Sequence, residues 1–142
     1  IVATGSPFPD VERDSHVHYI GQGNNAFICP GLGFGAILAE CREVTNDMVL
    51  EAAYALADYT AAAHLRAGRV YPPVRELREV SIRVGTRVIE QALKEGVAGR
   101  TDLAGRDLDT YLRSRFWKPR YLPIVRGDHT AMIDHPGYPK EE

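Results

Sequence analysis

The spacing of hydrophobic and polar positions changes character twice along this chain. Ile1-Val2-Ala3-Thr4 is an apolar, β-branched opening that predicts a strand. Gly5-Ser6-Pro7 then predicts a turn, because proline fixes one dihedral and removes a donor. Phe8 to Asp14 reads as polar loop, and Ser15 to Ile20 alternates enough to predict a second short strand. From there the period lengthens. Pro30 to Glu43 is small and apolar, with charge only at Glu40, Arg42 and Glu43, and predicts a buried helix. Thr45 suits the N-cap of a helix over Asn46 to Ala63, where Val49, Ala52, Ala53, Leu56, Ala57 and Thr60 keep the spacing of an inward face. A connector through Ala67-Gly68 and Tyr71-Pro72-Pro73 leads to a third helix over Val74 to Glu95. Leu77, Val80, Ser81, Val84, Val88, Ala92 and Leu93 line one side of it. Gly85 inside that helix costs about 1 kcal/mol against alanine, which implies close helix packing there. Gly96 to Gly99 ends it, and Asp107 to Trp117 predicts a short fourth helix with Leu108, Tyr111 and Leu112 inward. Two short strands followed by three or four helices make an α/β pattern.

Composition narrows the class. The chain has 142 residues, 44% hydrophobic and 25% charged, with 17 Lys plus Arg against 19 Asp plus Glu. That is ordinary for a globular domain with a real core, and a formal charge of −2 supplies no general field for nucleic acid. Arg113, Arg115, Lys118 and Arg120 do interleave with Phe116, Trp117 and Tyr121, but such a segment more often lays its cations over a subunit surface than on RNA. Cys29 and Cys41 are too few for a zinc motif or a disulfide framework and read as small buried hydrophobes in a reducing compartment. No apolar run approaches the roughly 20 residues of a membrane span and no signal peptide is visible, so a soluble protein is expected.

The candidate chemistry is concentrated in Gly21-Gln22-Gly23-Asn24-Asn25. A carboxamide offers a donor and an acceptor, so a pair of them can fix a ligand carrying hydroxyl and carboxylate groups, and the glycines let the backbone come close. The same residues also suit a simple turn, in which asparagine bonds to its own backbone. Gly31, Gly33 and Ala36 satisfy the spacing G-x-G-x-x-A. A dinucleotide fingerprint needs a strand before it and an acid about 20 residues later at the end of a second strand. Here that distance falls on Asp47, Glu51 or Asp58 in a helical segment, so the match reads as packing. His16 and His18 would share one face of a strand without a third ligand, His129 and His135 lie in the irregular tail beyond Tyr121, and Arg75, Glu76, Arg78 and Glu79 read as a solvated helix face.

Four segments occur in the order and at about the spacing of one family. Ala3-Thr4-Gly5-Ser6-Pro7-Phe8, the stretch from Gly21 to Gly31, Tyr71-Pro72-Pro73 and Arg78-Glu79-Val80-Ser81 together resemble the C-terminal part of malic enzyme. The likeness runs from residue 1 to about 121 and includes Phe116-Trp117-Lys118-Pro119-Arg120-Tyr121. It implies a fold that is the C-terminal portion of a Rossmann-like NAD(P)-binding domain over residues 1–100, followed by a C-terminal helix and tail over 101–142. It also implies a fragment of a longer polypeptide, beginning inside a domain after the family's real fingerprint.

The function implied is oxidative decarboxylation of malate to pyruvate and CO2 with reduction of NAD or NADP. Asn24 and Asn25 carry over as substrate-binding carboxamides, while Asn24, Gly5 and Ser6 face the cofactor. Cys29 stands where an aromatic is usual. The family's lysine and tyrosine acid–base pair and its Asp/Glu cluster for Mg2+ or Mn2+ have no counterpart in these residues, so no catalytic or metal-binding residue is expected here. A homodimer or homotetramer is implied, in the cytoplasm or alternatively the mitochondrial matrix, with no nucleic-acid or membrane partner. Malolactic conversion on the same scaffold, and a non-catalytic interaction module, are the alternatives.

Overall fold

The computed structural model describes residues 1–119 and 121. Strands β1 (Val2–Thr4), β2 (Val11–Arg13), β3 (His16–His18) and β4 (Ile20–Gln22) precede helices α1 (Cys29–Leu38), α2 (Asn46–Ala63), α3 (Leu77–Glu95) and α4 (Leu108–Arg115). The α/β class agrees with the sequence, but the described residues form four strands where two were expected. β1 pairs in parallel with β4, Val2 facing Ile20 and Thr4 facing Gln22. The segment expected to be polar loop holds β2, which pairs antiparallel with β3. Asp14 and Ser15 at its tip take φ of 51° and 59°, the left-handed pair of a tight hairpin usually signalled by glycine, which is why the hairpin was not visible. The hairpin is fastened at its base, where Asp10 Oδ1 accepts from the Ile20 amide (3.0 Å) and Asp10 Oδ2 from Arg69 (3.0 Å).

The core lies between the helices, with α3 at its centre. Nine α3 residues are buried, among them Val80, Ile82, Val84, Val88 and Ile89, against α1 on one side and α2 on the other. The expected helix of 74–95 opens as a 3₁₀ turn, Val74–Glu76, before becoming α-helical at Leu77. Residues beyond it close onto the same core through Leu103, Leu108 and Leu112. Asp107 caps α4 through the Thr110 amide, and Arg113 of α4 forks onto Glu79 of α3 at 2.6 and 2.8 Å.

The α1–α3 crossing is a contact of backbones. A Cβ placed on Gly35 would stand 2.7 Å from the Gly85 carbonyl oxygen, and one on Gly31 would stand 2.6 Å from Val84 Cβ. Gly33, grouped with Gly31 as a packing glycine, has nothing within 4 Å of such an atom, because it lies on the other side of the helix. The glycines needed for packing are therefore Gly31, Gly35 and Gly85. A 3₁₀ turn, Asn25–Phe27, leads into α1, so the strand required by a G-x-G-x-x-A fingerprint is missing from that place.

α2 begins and ends where expected, with Thr45 Oγ1 accepting from the Met48 amide at 3.1 Å. Its inward face is rotated from the expected one. Met48, Ala52, Ala55, Leu56 and Thr60 are buried, whereas Val49, Ala53 and Ala57 are exposed. Alanines occur on both flanks of this helix, so the apolar pattern alone did not fix the rotation. Cys29, expected to be buried, is exposed in the first turn of α1, and Cys41 is half-buried, which pushes its thiol pKa up.

Candidate functional site

Parallel pairing sends β1 and β4 in the same direction, so their carboxyl ends share one edge. At that edge Gly5-Ser6 follows β1 and Gly23-Asn24-Asn25 follows β4. The Gly23 amide donates to the Thr4 carbonyl at 2.8 Å, and Thr4 Oγ1 donates to the Ser6 carbonyl at 2.7 Å. The outside of the carboxyl ends is where open α/β sheets receive ligands. Gly5, Ser6, Asn24 and Asn25 thus all lie in the two loops that follow the carboxyl ends of this pair.

The two asparagines are used differently. Asn24 is extended (φ −124°, ψ 135°) and caps the turn Asn25–Phe27, its Oδ1 accepting from the Ala26 amide at 2.9 Å. Its acceptor is therefore committed to the turn. Asn25 is exposed, and its carboxamide makes no hydrogen bond among the described residues. The first asparagine builds the turn, and the side chain of the second is left without a hydrogen-bond partner among the described residues.

Beside the pair is an open cavity of about 460 Å³, lined by Gly23, Asn24, Asn25, Ile28, Val70 and Tyr71 on one side and by Ala53, Leu56, Ala57 and Thr60 of α2 on the other. The outward rotation of α2 supplies Ala53 and Ala57 to this wall. Tyr71 packs over the loop, stacked on Phe27 with ring centroids 6.0 Å apart.

Of Arg75, Glu76, Arg78 and Glu79, read as a solvated face, Arg75 is exposed and meets its neighbour Glu76, whereas the other three are engaged across the fold. Glu76 Oε2 accepts from Tyr59 Oη (2.9 Å) and meets His64 Nε2 (2.8 Å). Burial pushes the Tyr59 hydroxyl up to about 12, and the neighbouring Glu76 carboxylate adds to this. Burial would raise the Glu76 carboxyl, but the hydrogen bonds from His64 and Tyr59 more than offset it and hold the group below its ordinary value. This cluster joins residues 17 and 12 apart through the fold of the connector, so no local spacing announced it. Arg78 stacks on Phe116 (4.9 Å), which meets Phe34 edge-on.

Of the basic–aromatic run, Arg113 is paired with Glu79 and Asp109, Arg115 lies over Tyr111, and Trp117 is 75% exposed. Arg120, His129 and His135 lie outside the described residues. His16 and His18 stand on exposed β3, where His16 Nδ1 meets the Asp14 carbonyl. Among the described residues no three His, Cys, Asp or Glu side chains converge as metal ligands, and no helix is long and apolar enough to cross a membrane.

A parallel strand pair whose carboxyl ends lead into glycine-containing loops, followed among the described residues by four helices, fits a portion of an α/β domain. The family described as "Malic enzyme, NAD binding domain" matches residues 1–93, and the chain belongs to that family. It is 36% identical over 129 residues to the mitochondrial NAD-dependent malic enzyme of Ascaris suum, covering 91% of this chain and 20% of that protein. It is 38% identical over 123 residues to the NADP-dependent malic enzyme of Dictyostelium discoideum (85% and 22% covered) and 36% identical over 121 residues to the chloroplastic NADP-dependent malic enzyme of Oryza sativa subsp. japonica (85% and 19% covered). The chain spans about a fifth of the length of these relatives.

Proposed function

We propose that this chain serves the oxidative decarboxylation of malate by a malic enzyme, and that its part is to position malate and the nicotinamide. The observation that carries the proposal is the placement of Asn25: a carboxamide without a partner among the described residues, in the loop that follows the carboxyl end of the parallel pair, as Gly5 and Ser6 follow its other strand. An amide can donate to a carboxylate and accept from a hydroxyl without adding a charge that would oppose decarboxylation. Asn25 is the malate ligand in this reading. Asn24, with its NH2 remaining after the turn has taken its oxygen, faces the cofactor together with Gly5 and Ser6, where no atom lies within 4 Å of a Cβ placed on Gly5.

NAD or NADP, when bound, supplies the hydride acceptor. Mg2+ or Mn2+ wants several oxygen ligands converging at once, and in this reading the cation, the base and the acid are supplied by residues outside this chain. The assembly is proposed to be a homo-oligomer.

The test is Asn25→Ala in a full-length malic enzyme carrying this sequence. A hydrogen bond to a charged group contributes about 1.5 to 3 kcal/mol, so kcat/KM for malate should fall roughly 10- to 150-fold with the melting temperature preserved. Asn24→Ala should also lower stability by about 1 kcal/mol, because it removes a cap. Unchanged malate kinetics in the Asn25 variant would overturn the reading.

A further inference from the structure

We propose that Tyr71 is the positioning residue for Asn25: its ring fixes the loop from which that carboxamide reaches the ligand. The proposal rests on the malate-binding role of Asn25 given above. Because the Asn25 side chain has no hydrogen bond among the described residues, its location depends on its backbone, and that backbone is held from both sides by one aromatic ring. Two residues before Asn25, Gly23 passes so close to Tyr71 that a Cβ there would stand 3.3 Å from Cε2 and 3.5 Å from Cζ. Two residues after it, fully buried Phe27 stacks on the same ring at 6.0 Å and 22°.

Pro72, also fully buried, anchors the connector that carries Tyr71. On its far side the loop is pinned by the Gly23 amide on the Thr4 carbonyl. The Tyr71 hydroxyl has no hydrogen-bond partner among the described residues, so the ring face and edge carry this role. Removing them frees the loop between two remaining anchors. A displacement on the order of 1 Å in a positioning group can lower turnover as much as a hundredfold.

The experiment is kinetic, in a full-length malic enzyme carrying this sequence, with Tyr71→Leu, Tyr71→Phe and Gly23→Ala each made alone and together with Asn25→Ala. Tyr71→Leu should lower kcat/KM for malate by on the order of tenfold while KM for NAD(P) stays within about twofold. Tyr71→Phe should retain wild-type kinetics within about twofold, since it keeps the ring. Gly23→Ala, which presses on the ring without removing it, should lower malate kcat/KM several-fold and carries the test if Tyr71→Leu does not fold.

In the Asn25→Ala background both damaging changes should have less than about a twofold further effect, because residues that act through one another are not additive. Additive losses would overturn the proposal by assigning Tyr71 a general structural role. A Tyr71→Phe defect as large as that of Tyr71→Leu would overturn it in favour of a direct contact by the hydroxyl. If Asn25→Ala impairs malate use while neither Tyr71→Leu nor Gly23→Ala does, this inference alone falls. If Asn25→Ala is itself silent, the underlying reading of the site falls with it.

Discussion

Two glycines of α1, two positions apart, should respond in opposite directions to the same substitution. At Gly35 a new Cβ would meet the Gly85 carbonyl oxygen at 2.7 Å, Gly85 Cα at 3.1 Å and Val88 Cβ at 3.1 Å. The first two are backbone of α3 and cannot rotate away, so the helices must separate. Overpacking of this kind costs about 1 to 3 kcal/mol, and alanine returns about 0.5 to 1 kcal/mol through helix propensity. Gly35→Ala should therefore lose up to about 2.5 kcal/mol net. At Gly33 no atom lies within 4 Å, so only the propensity gain remains and Gly33→Ala should be stabilised by about 0.5 to 1 kcal/mol. The assay is equilibrium urea unfolding of the purified chain, followed by far-ultraviolet circular dichroism, with midpoint and slope fitted separately. Midpoints that move the same way by similar amounts would refute the close α1–α3 crossing.

The Tyr59–His64–Glu76 cluster predicts a pH dependence at both extremes. Glu76 is held below its ordinary value of 4.5, so its contribution is complete above that pH and is lost as the pH falls beneath it. Tyr59 is raised from 10 to about 12, so its contribution is complete below pH 10 and disappears as the pH rises through 12. Glu76→Gln should flatten the acid arm of a stability–pH curve and reduce the alkaline arm only in part, because burial is the main cause of the Tyr59 shift; an unchanged acid arm would contradict the assignment. A simpler measurement concerns activity: residues 1–142 alone, supplied with malate, Mn2+ and NAD(P), should produce no NAD(P)H, because positioning groups do not replace a base, an acid and a metal site. Turnover by this chain would refute the assignment of that machinery to residues outside it.

Elements specified by contacts close in sequence were legible before the fold was known. α2 is the clearest case, since Thr45 supplies its cap and the apolar repeat runs to Ala63. Features that depend on distant partners were not. Asp14-Ser15 lacks the glycine that signals a tight hairpin, and its left-handed angles are imposed by the strands it joins. Gly31 and Gly33 look equivalent in a run of small residues and are distinguished only by the position of α3. Within the site, Asn24 and Asn25 could be named from composition and resemblance, but the division of labour between them depends on the 3₁₀ turn that follows. Tyr71 reaches that turn only because the connector folds back over it.

The hairpin β2–β3 also gives this chain room to vary in length. Every residue of both strands is exposed, and the hairpin is secured at its base by Asp10, on the Ile20 amide and on Arg69, rather than along its sides. Residues added between Asp14 and Ser15 would extend beyond that clasp. They would leave the facing of Val2 on Ile20 and Thr4 on Gln22 undisturbed, and with it the loop that presents Asn25. The same tip is therefore a suitable position for an inserted epitope or fluorophore that leaves the parallel pair intact.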